Sequence, residues 1–393
     1  GDWSSDVCSS DLKPRFTKPF RITVAPNSVA GRGLPVTRFT REKRVASRNM
    51  PTVGWSTQAT PPLPQAPEPK PTAMHVPPST PLNLPQDEPL RDGCALSEDE
   101  DRALRERSNL MGVALVLHGW CVVLAAMAVF AAWPNPFTFL VCGALIGGRQ
   151  LGLSVLMHEA AHRVLMRHAG LNDWVGHWVA GGAVGSHLFD YRPYHLTHHR
   201  FTQQDNDPDL VLSAPFPITP AGLRRKVIRD LTGQTGLKLR LAQMRAGLGT
   251  QGPWWVRALR LIRHERAFLI TNALLLSTCW ALGHAWVYLW MWLLPLLTWF
   301  QLFSRVRNIA EHAVTGDRQD RLRNTRTTFA NWLERALVAP YWVNYHLEHH
   351  LYAFVPCWKL AQAHRLLSAR GLTPQMELSS GYPSVLRQAT ART

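Results

Sequence analysis

Four stretches of the chain are almost wholly apolar: Met111 to Trp133, Phe137 to Met157, Ala267 to Gly283 and Ala285 to Phe303. Each approaches the ~20 residues that a helix needs to cross a bilayer core. The first runs 23 residues with only His118 interrupting it, longer than an ordinary buried helix of a soluble protein. Only Pro134, Asn135 and Pro136 separate the first pair, and only Gly283 and His284 separate the second. The pattern predicts two tight helical hairpins in an all-α integral membrane protein with four transmembrane helices, over 111–133, 137–157, 267–283 and 285–303.

Charge orients this arrangement. Neither hairpin turn contains Lys or Arg, whereas residues 158 to 266 hold 15 and the chain from Arg305 onward holds 12. By the positive-inside bias, the hairpin tips point away from the cytoplasm and everything else forms a cytoplasmic helical cap. Trp254 and Trp255, followed by Arg257, Arg260, Arg263 and Arg266, predict a helix lying in the membrane interface. The net charge of +16 suits anionic headgroups or an acidic redox partner; no nucleic-acid recognition motif accompanies it. The six Cys include no C-x-x-C pair, which indicates neither a disulfide framework nor a Cys zinc site.

The N-terminal region reads differently. Residues 1–12, GDWSSDVCSSDL, resemble a translated sequencing adapter, and residues 13–49 carry ten Lys or Arg against one acid, Glu42. The natural start is expected at Met50 or Met74. Residues 51–93 are dense in Pro, so 13–96 is expected to be a disordered basic and Pro-rich lead. Ser97 and Glu100 have the spacing of a capping box, predicting a helix that runs on toward the first membrane helix. The expected division is a lead to 96, a membrane domain over 97–370 and a C-terminal tail over 371–393.

Candidate chemistry resides in the histidines. Nine of 17 fall into four compact groups: His158 and His162 (H-x-x-x-H); His195, His198 and His199 (H-x-x-H-H); His312, preceded by Asn308 (N-x-x-x-H); and His346, His349 and His350, a second H-x-x-H-H. Residues at i, i+3 and i+4 share a helix face, so each group is expected to aim its imidazoles at one point. MHEAAH alone also fits the H-E-x-x-H of zinc proteases, with Glu159 as base. One zinc takes about four ligands, however, too few for nine imidazoles. The set fits two metal ions with four or five nitrogens each and an open position. Topology places all four groups on the cytoplasmic side. Arg149 implies that the second helix leaves the hydrocarbon near Gly148 and continues as a stalk about 13 Å long. Glu159, Asp207, Asp209, Glu311 and Glu348 flank the boxes and are candidate partners of the ligand imidazoles. The other eight, His75, His118, His168, His177, His187, His264, His284 and His364, are expected to be ordinary polar or buried residues.

These boxes, within HEAAHRVLMR, YHLTHHRFTQQDNDPDL, RNIAEH and NYHLEHHLY, resemble the membrane fatty-acid desaturase superfamily from about Met111 to His364. The likeness is nearest to the bacterial branch that includes dihydrorhizobitoxine desaturases. The resemblance implies two Fe ions held by His158, His162, His195, His198, His199, His312, His346, His349 and His350, with Asn308 linked through water. It further implies O₂ as co-substrate, a membrane lipid or fatty acyl substrate, and a multi-pass location, such as a bacterial inner membrane. No H-P-G-G haem motif appears, so a separate ferredoxin, rubredoxin or cytochrome b5 type donor is expected. A hydroxylase or ketolase on the same scaffold remains open at this point.

Overall fold

The computed structural model describes residues 94–390, so the expectations for 1–12 and 13–93 lie outside the described residues. Helices of eight residues or more, together with the short helix of the last box, are numbered α1 to α12. Helix α1 (Glu98–Arg105) starts at Ser97. The Ser97 hydroxyl accepts from the Glu100 N–H at 3.3 Å, and Glu100 accepts in return from the Ser97 N–H at 2.8 Å. This is the capping box that the spacing predicted. The helix does not continue into the next one. Glu106 is extended, and Ser108 opens a new helix by accepting from the Met111 N–H at 3.2 Å.

Helix α2 (Asn109–Ala132) and helix α3 (Pro136–Ala161) form the first hairpin. Asn135 caps α3 by accepting from the N–H groups of Phe137 and Thr138, and Pro136 takes the first helical position, where its missing N–H removes no bond. The two helices differ in surroundings. Helix α2 keeps Leu110, Leu117, Leu124 and Trp133 exposed, whereas α3 is buried from Ile146 to Ala161 except at Ser154. Helix α3 is therefore the trunk of the molecule. Its close contacts need small residues: a Cβ at Gly176, in the π-helical turn Val175–Gly181, would lie 2.2 Å from the Ala160 Cβ. Arg149, 5 % exposed, donates to the carbonyls of Arg335 and Ala336 at 3.3 and 2.7 Å, so the C-terminal half of α3 is sheathed by protein.

Helix α4 (Leu188–Phe201) carries the second His box, and α5 (Pro220–Leu231), α6 (Gln234–Leu248) and α7 (Trp254–His264) complete the segment between the hairpins. No residue of α7 is buried, and Trp254 is 78 % exposed. That is the surface expected of a helix with aromatic and Arg faces at an interface.

The second hairpin departs from expectation. Helix α8 (Arg266–Ala281) has 16 residues, about 24 Å at 1.5 Å per residue, shorter than the ~30 Å of a hydrocarbon core. Among the described residues, three helical runs are long and apolar enough to cross a membrane: Asn109–Ala132, Pro136–Ala161 and Ala285–His312. The last contains the expected 285–303 but is not a uniform α-helix. It passes from α-helix into a π-helical turn at Leu289–Leu293 and breaks at Thr298 before α9 (Trp299–His312). Pro295 supplies a physical reason for the π-helical turn, since it lacks the N–H and crowds the Met291 carbonyl four residues earlier. Neighbours compensate. Gln150 donates to the Trp292 carbonyl at 2.9 Å, and Asn272 accepts from Tyr288 and Trp292 at 3.1 and 2.7 Å.

Beyond α9, two parallel two-residue strands (Thr327–Thr328 and Leu378–Ser379) are the departure from an all-α chain among the described residues. Helices α10 (His346–Leu351), α11 (Leu360–Ala369) and α12 (Tyr382–Thr390) close the cap. Residues 371 to 390 pack on the main core through Leu372, Met376, Tyr382, Val385 and Ala389, although the sequence set 371–393 apart as a tail.

Candidate dimetal centre

The ends of α3 and α9, the C-terminal half of α4 and all of α10 meet inside the cap. Two groups of imidazoles form there, each with ligand nitrogens within 4.8 Å of one another. The first holds His158, His162, His195, His199 and His349; the second holds His198, His312, His346 and His350. All nine histidines chosen from the sequence are present, five in one group and four in the other. Asn308 lies one turn before His312 on α9 and is half-buried.

The expectation that each box aims at one point is corrected. On α4, His195 and His199, four residues apart, turn to the first group while His198 turns to the second. On α10, His346 and His350 join the second group while His349 crosses to the first. The i and i+4 positions of H-x-x-H-H thus serve one point and the i+3 position the other. The ~100° step between adjacent residues on a helix makes this division possible.

The spacing fits ions. His195 and His199 Nε2 are 3.0 Å apart, His199 and His349 Nε2 3.1 Å, His312 and His346 Nε2 2.9 Å, and His346 and His350 Nε2 3.1 Å. Two nitrogens each ~2.0–2.1 Å from one ion at angles of 90–109° lie about 2.8 to 3.4 Å apart. His158 and His162 are buried, and neither nitrogen of either ring has a hydrogen-bond partner. Buried polar atoms are nearly always satisfied, so one unpartnered nitrogen on each of these two rings fits a metal held within the first group. Burial first, then neighbouring positive charge, pushes the His162 imidazole down to about 3. Burial likewise holds His195, His199, His346, His349 and His350 well below the usual histidine range. They are neutral at physiological pH, which is the ligating form.

A second ring of groups orients the imidazoles. Asp207 Oδ1 is 2.7 Å from His198 Nδ1, and Asp207 is itself held by the N–H groups of Gln203 and Asp209, both at 2.8 Å. The Tyr191 hydroxyl lies 3.1 Å from His195 Nδ1, and the Thr202 hydroxyl 3.1 Å from His350 Nδ1. Gln203 Nε2 donates to the His312 carbonyl at 2.6 Å. Glu311 accepts from Arg307 at 2.6 Å and stands 3.5 Å from His346 Nδ1.

Of the five flanking acids, Asp207 is therefore bonded directly to a box imidazole. Glu159 accepts from the Cys357 N–H at 2.7 Å and lies 3.4 Å from His158 Nδ1. Asp209 bonds Tyr194 at 2.5 Å and is 3.9 Å from His198. Glu348 bonds Thr327 at 2.5 Å and His364 at 2.6 Å, so it braces α10. Tyr191, Thr202, Gln203 and His364 escaped sequence reasoning. Tyr191, one turn before His195, was the one with a usable signal. Nor are all the remaining histidines isolated: His118 bonds Tyr341 at 3.2 Å, and His187 and His264 gather around Asp190.

Comparison with known proteins agrees with this geometry. The chain is 27 % identical over 272 residues to the dihydrorhizobitoxine desaturase of Bradyrhizobium elkanii, covering 66 % of this chain and 75 % of that one. It is 24 % identical over 263 residues to the beta-carotene ketolase of Paracoccus sp. (strain PC1), covering 65 % of this chain and 92 % of that one. Residues 131–376 match the family model described as fatty acid desaturase, a span that includes all four His groups. By that match, which covers more than half of its length, the chain belongs to the fatty acid desaturase family.

Proposed function

We propose that this protein is an O₂-dependent diiron membrane desaturase that removes two hydrogens from a fatty acyl or other lipid chain and leaves a C=C bond. The observation that carries the proposal is the division of nine buried or half-buried imidazoles into groups of five and four, with unpartnered nitrogens on His158 and His162 in the first. A side-chain acid or base cannot remove hydrogen from an unactivated C–H bond. Two irons held by these imidazoles would supply that oxidising power from O₂.

The chain's own residues have definite tasks. His158, His162, His195, His199 and His349 would hold one ion, and His198, His312, His346 and His350 the other, with Asn308 one turn before His312. Asp207 accepts the distal N–H of His198 and fixes its tautomer. The cap excludes bulk water from the centre, since α3, α4, α9 and α10 bury it on several sides.

The exposed apolar faces of α2 and α8 suit lipid rather than water, and the short α8 crosses with the run 285–312 as the second of two hairpins. The lack of Lys or Arg in either turn supports a centre on the cytoplasmic side of a bacterial inner membrane. An acyl chain would enter from the bilayer. Electrons would come from a separate ferredoxin, rubredoxin or cytochrome b5 type protein.

The likeness to a beta-carotene ketolase favours one second reading, a hydroxylase or ketolase that leaves oxygen on carbon. The zinc-protease reading of MHEAAH loses support, because Glu159 is buried and bonded to the Cys357 N–H and both its histidines sit among three more. The test is expression of the chain in a host lacking desaturase activity, followed by metal analysis, O₂ uptake and mass spectrometry with double-bond localisation. About two irons per chain and new double bonds are expected; new hydroxyl or keto groups would select the second reading. One zinc and no iron would overturn both.

A further inference from the structure

A second, smaller donor set stands at the other end of the box helix. His187 is the residue that starts α4, Asp190 lies in its first turn, and His264 ends α7. Their ligand atoms lie within 4.8 Å of one another. His264 Nε2 is 2.7 Å from Asp190 Oδ2, and His187 Nδ1 is 3.3 Å from the same oxygen. The His187 and His264 rings stack with centroids 4.6 Å apart and planes 16° apart. Glu265 Oε1, 3.2 Å from His264 Nδ1, can take the proton on that nitrogen and leave Nε2 free to ligate, the arrangement by which acids orient metal-bound imidazoles.

A proton shared between His264 and Asp190 accounts for one pair only. His187 Nδ1 is buried and makes no hydrogen bond despite its nearness to Asp190. Beside it stands His177, 3 % exposed, its ring 4.6 Å from that of His187 and its Nδ1 also without a partner. His177, His187, His264 and Glu265 line one cavity of about 10 Å³. That is room for about a single atom or water and no organic ligand. A second imidazolium stacked on the first would be repelled, whereas an ion would use both rings as neutral donors.

We propose that His187, Asp190 and His264 bind one divalent transition-metal ion of the zinc type, separate from the paired centre. Two imidazoles and one carboxylate, with a fourth position open to water, suit zinc and its first-row neighbours. Mg²⁺ and Ca²⁺ would need more oxygen ligands than the three side chains offer. Asp190 is 65 % exposed, so the ion exchanges with solvent, unlike one enclosed by the boxes. It ties the start of α4, the helix of His195, His198 and His199, to the end of α7 and hence to the second hairpin.

The full chain, with its boxes loaded with iron, is equilibrated with excess Zn²⁺, desalted and assayed for both metals by mass spectrometry. The wild type is expected to carry one zinc per chain more than Asp190→Asn and His264→Gln, with equal iron in all three. Asp190→Asn is isosteric and exposed; its melting without added zinc confirms that it is folded. A Zn²⁺-dependent rise in melting temperature in the wild type, lost in both variants, is the second readout. Equal zinc in the wild type and both folded variants overturns the proposal. If the diiron reading fails instead, the iron count changes in all three chains and the difference of one zinc stands.

Discussion

The two donor sets of α4 show opposite solutions to the burial of imidazole. Toward its C-terminal end, His195, His198 and His199 join six other imidazoles in a closed cap, where burial pushes His195 and His199 well below the usual histidine range and Asp207 is the one acid bonded directly to a box ring. At its N-terminal end, His187 and Asp190 meet His264 at a half-open edge, one carboxylate against two imidazoles. The contrast teaches that enclosure suits neutral nitrogen donors, as the proposed pair of ions would need, while exposure permits a charged ligand and exchange. Desolvation is the cause: an unpaired carboxylate is far more costly to bury than an imidazole that can shed its proton.

The comparison can be broken most decisively at the crossing ligands. His198→Ala and His349→Ala each remove a nitrogen that links one box helix to the ion chiefly held by the other helices. Both are expected to abolish turnover and to lower iron content in metal analysis, whereas zinc at the α4 start is retained. Next in size is Asp207→Asn, which keeps shape but loses the acceptor of the His198 proton. A 10- to 100-fold loss in metal affinity or activity, on the order seen for such partners, is expected from iron titration and rate measurement. An unchanged variant would show that His198 needs no orienting acid.

The closed set also has a pH signature. His162 and its neighbours have folded values depressed below the ordinary ~6.5, so below that pH the unfolded chain binds more protons than the folded one. Stability from these groups is fully present above ~6.5 and is lost as pH falls toward their folded values. Melting of the iron-free chain should therefore fall steadily from pH 7 to pH 5. A flat profile would mean that the imidazoles are not kept neutral by burial. The smallest expected effect lies far from both sites: Ser97→Ala removes the cap of α1 and should cost about 1 kcal/mol, read as a small drop in melting temperature.

Much of this was legible in the linear chain for a local reason. The cap at Ser97, the first hairpin and the nine histidines depend on spacings of a few residues, and helix geometry converts such spacings into direction without help from the rest of the fold. The second hairpin was less legible. Hydropathy marks an apolar run but not its conformation, so the π-helical turn and the break at Thr298 emerge only with Gln150 and Asn272 there to satisfy the displaced backbone and the indole. Thr202 and Gln203 lay near the box but carried no pattern of their own, whereas the i−4 spacing of Tyr191 from His195 was a signal that could have been used.

By itself, the sequence determined that apolar helices flank a histidine-rich cap and that the histidines are numerous enough for two ions, because composition and the helical period are properties of short segments. Only the tertiary structure decided which imidazole serves which ion, and that His187, Asp190 and His264 meet at all. His264 is 74 residues from Asp190. Contacts at that separation depend on how α4, α7 and α8 pack, and no period along the chain encodes it.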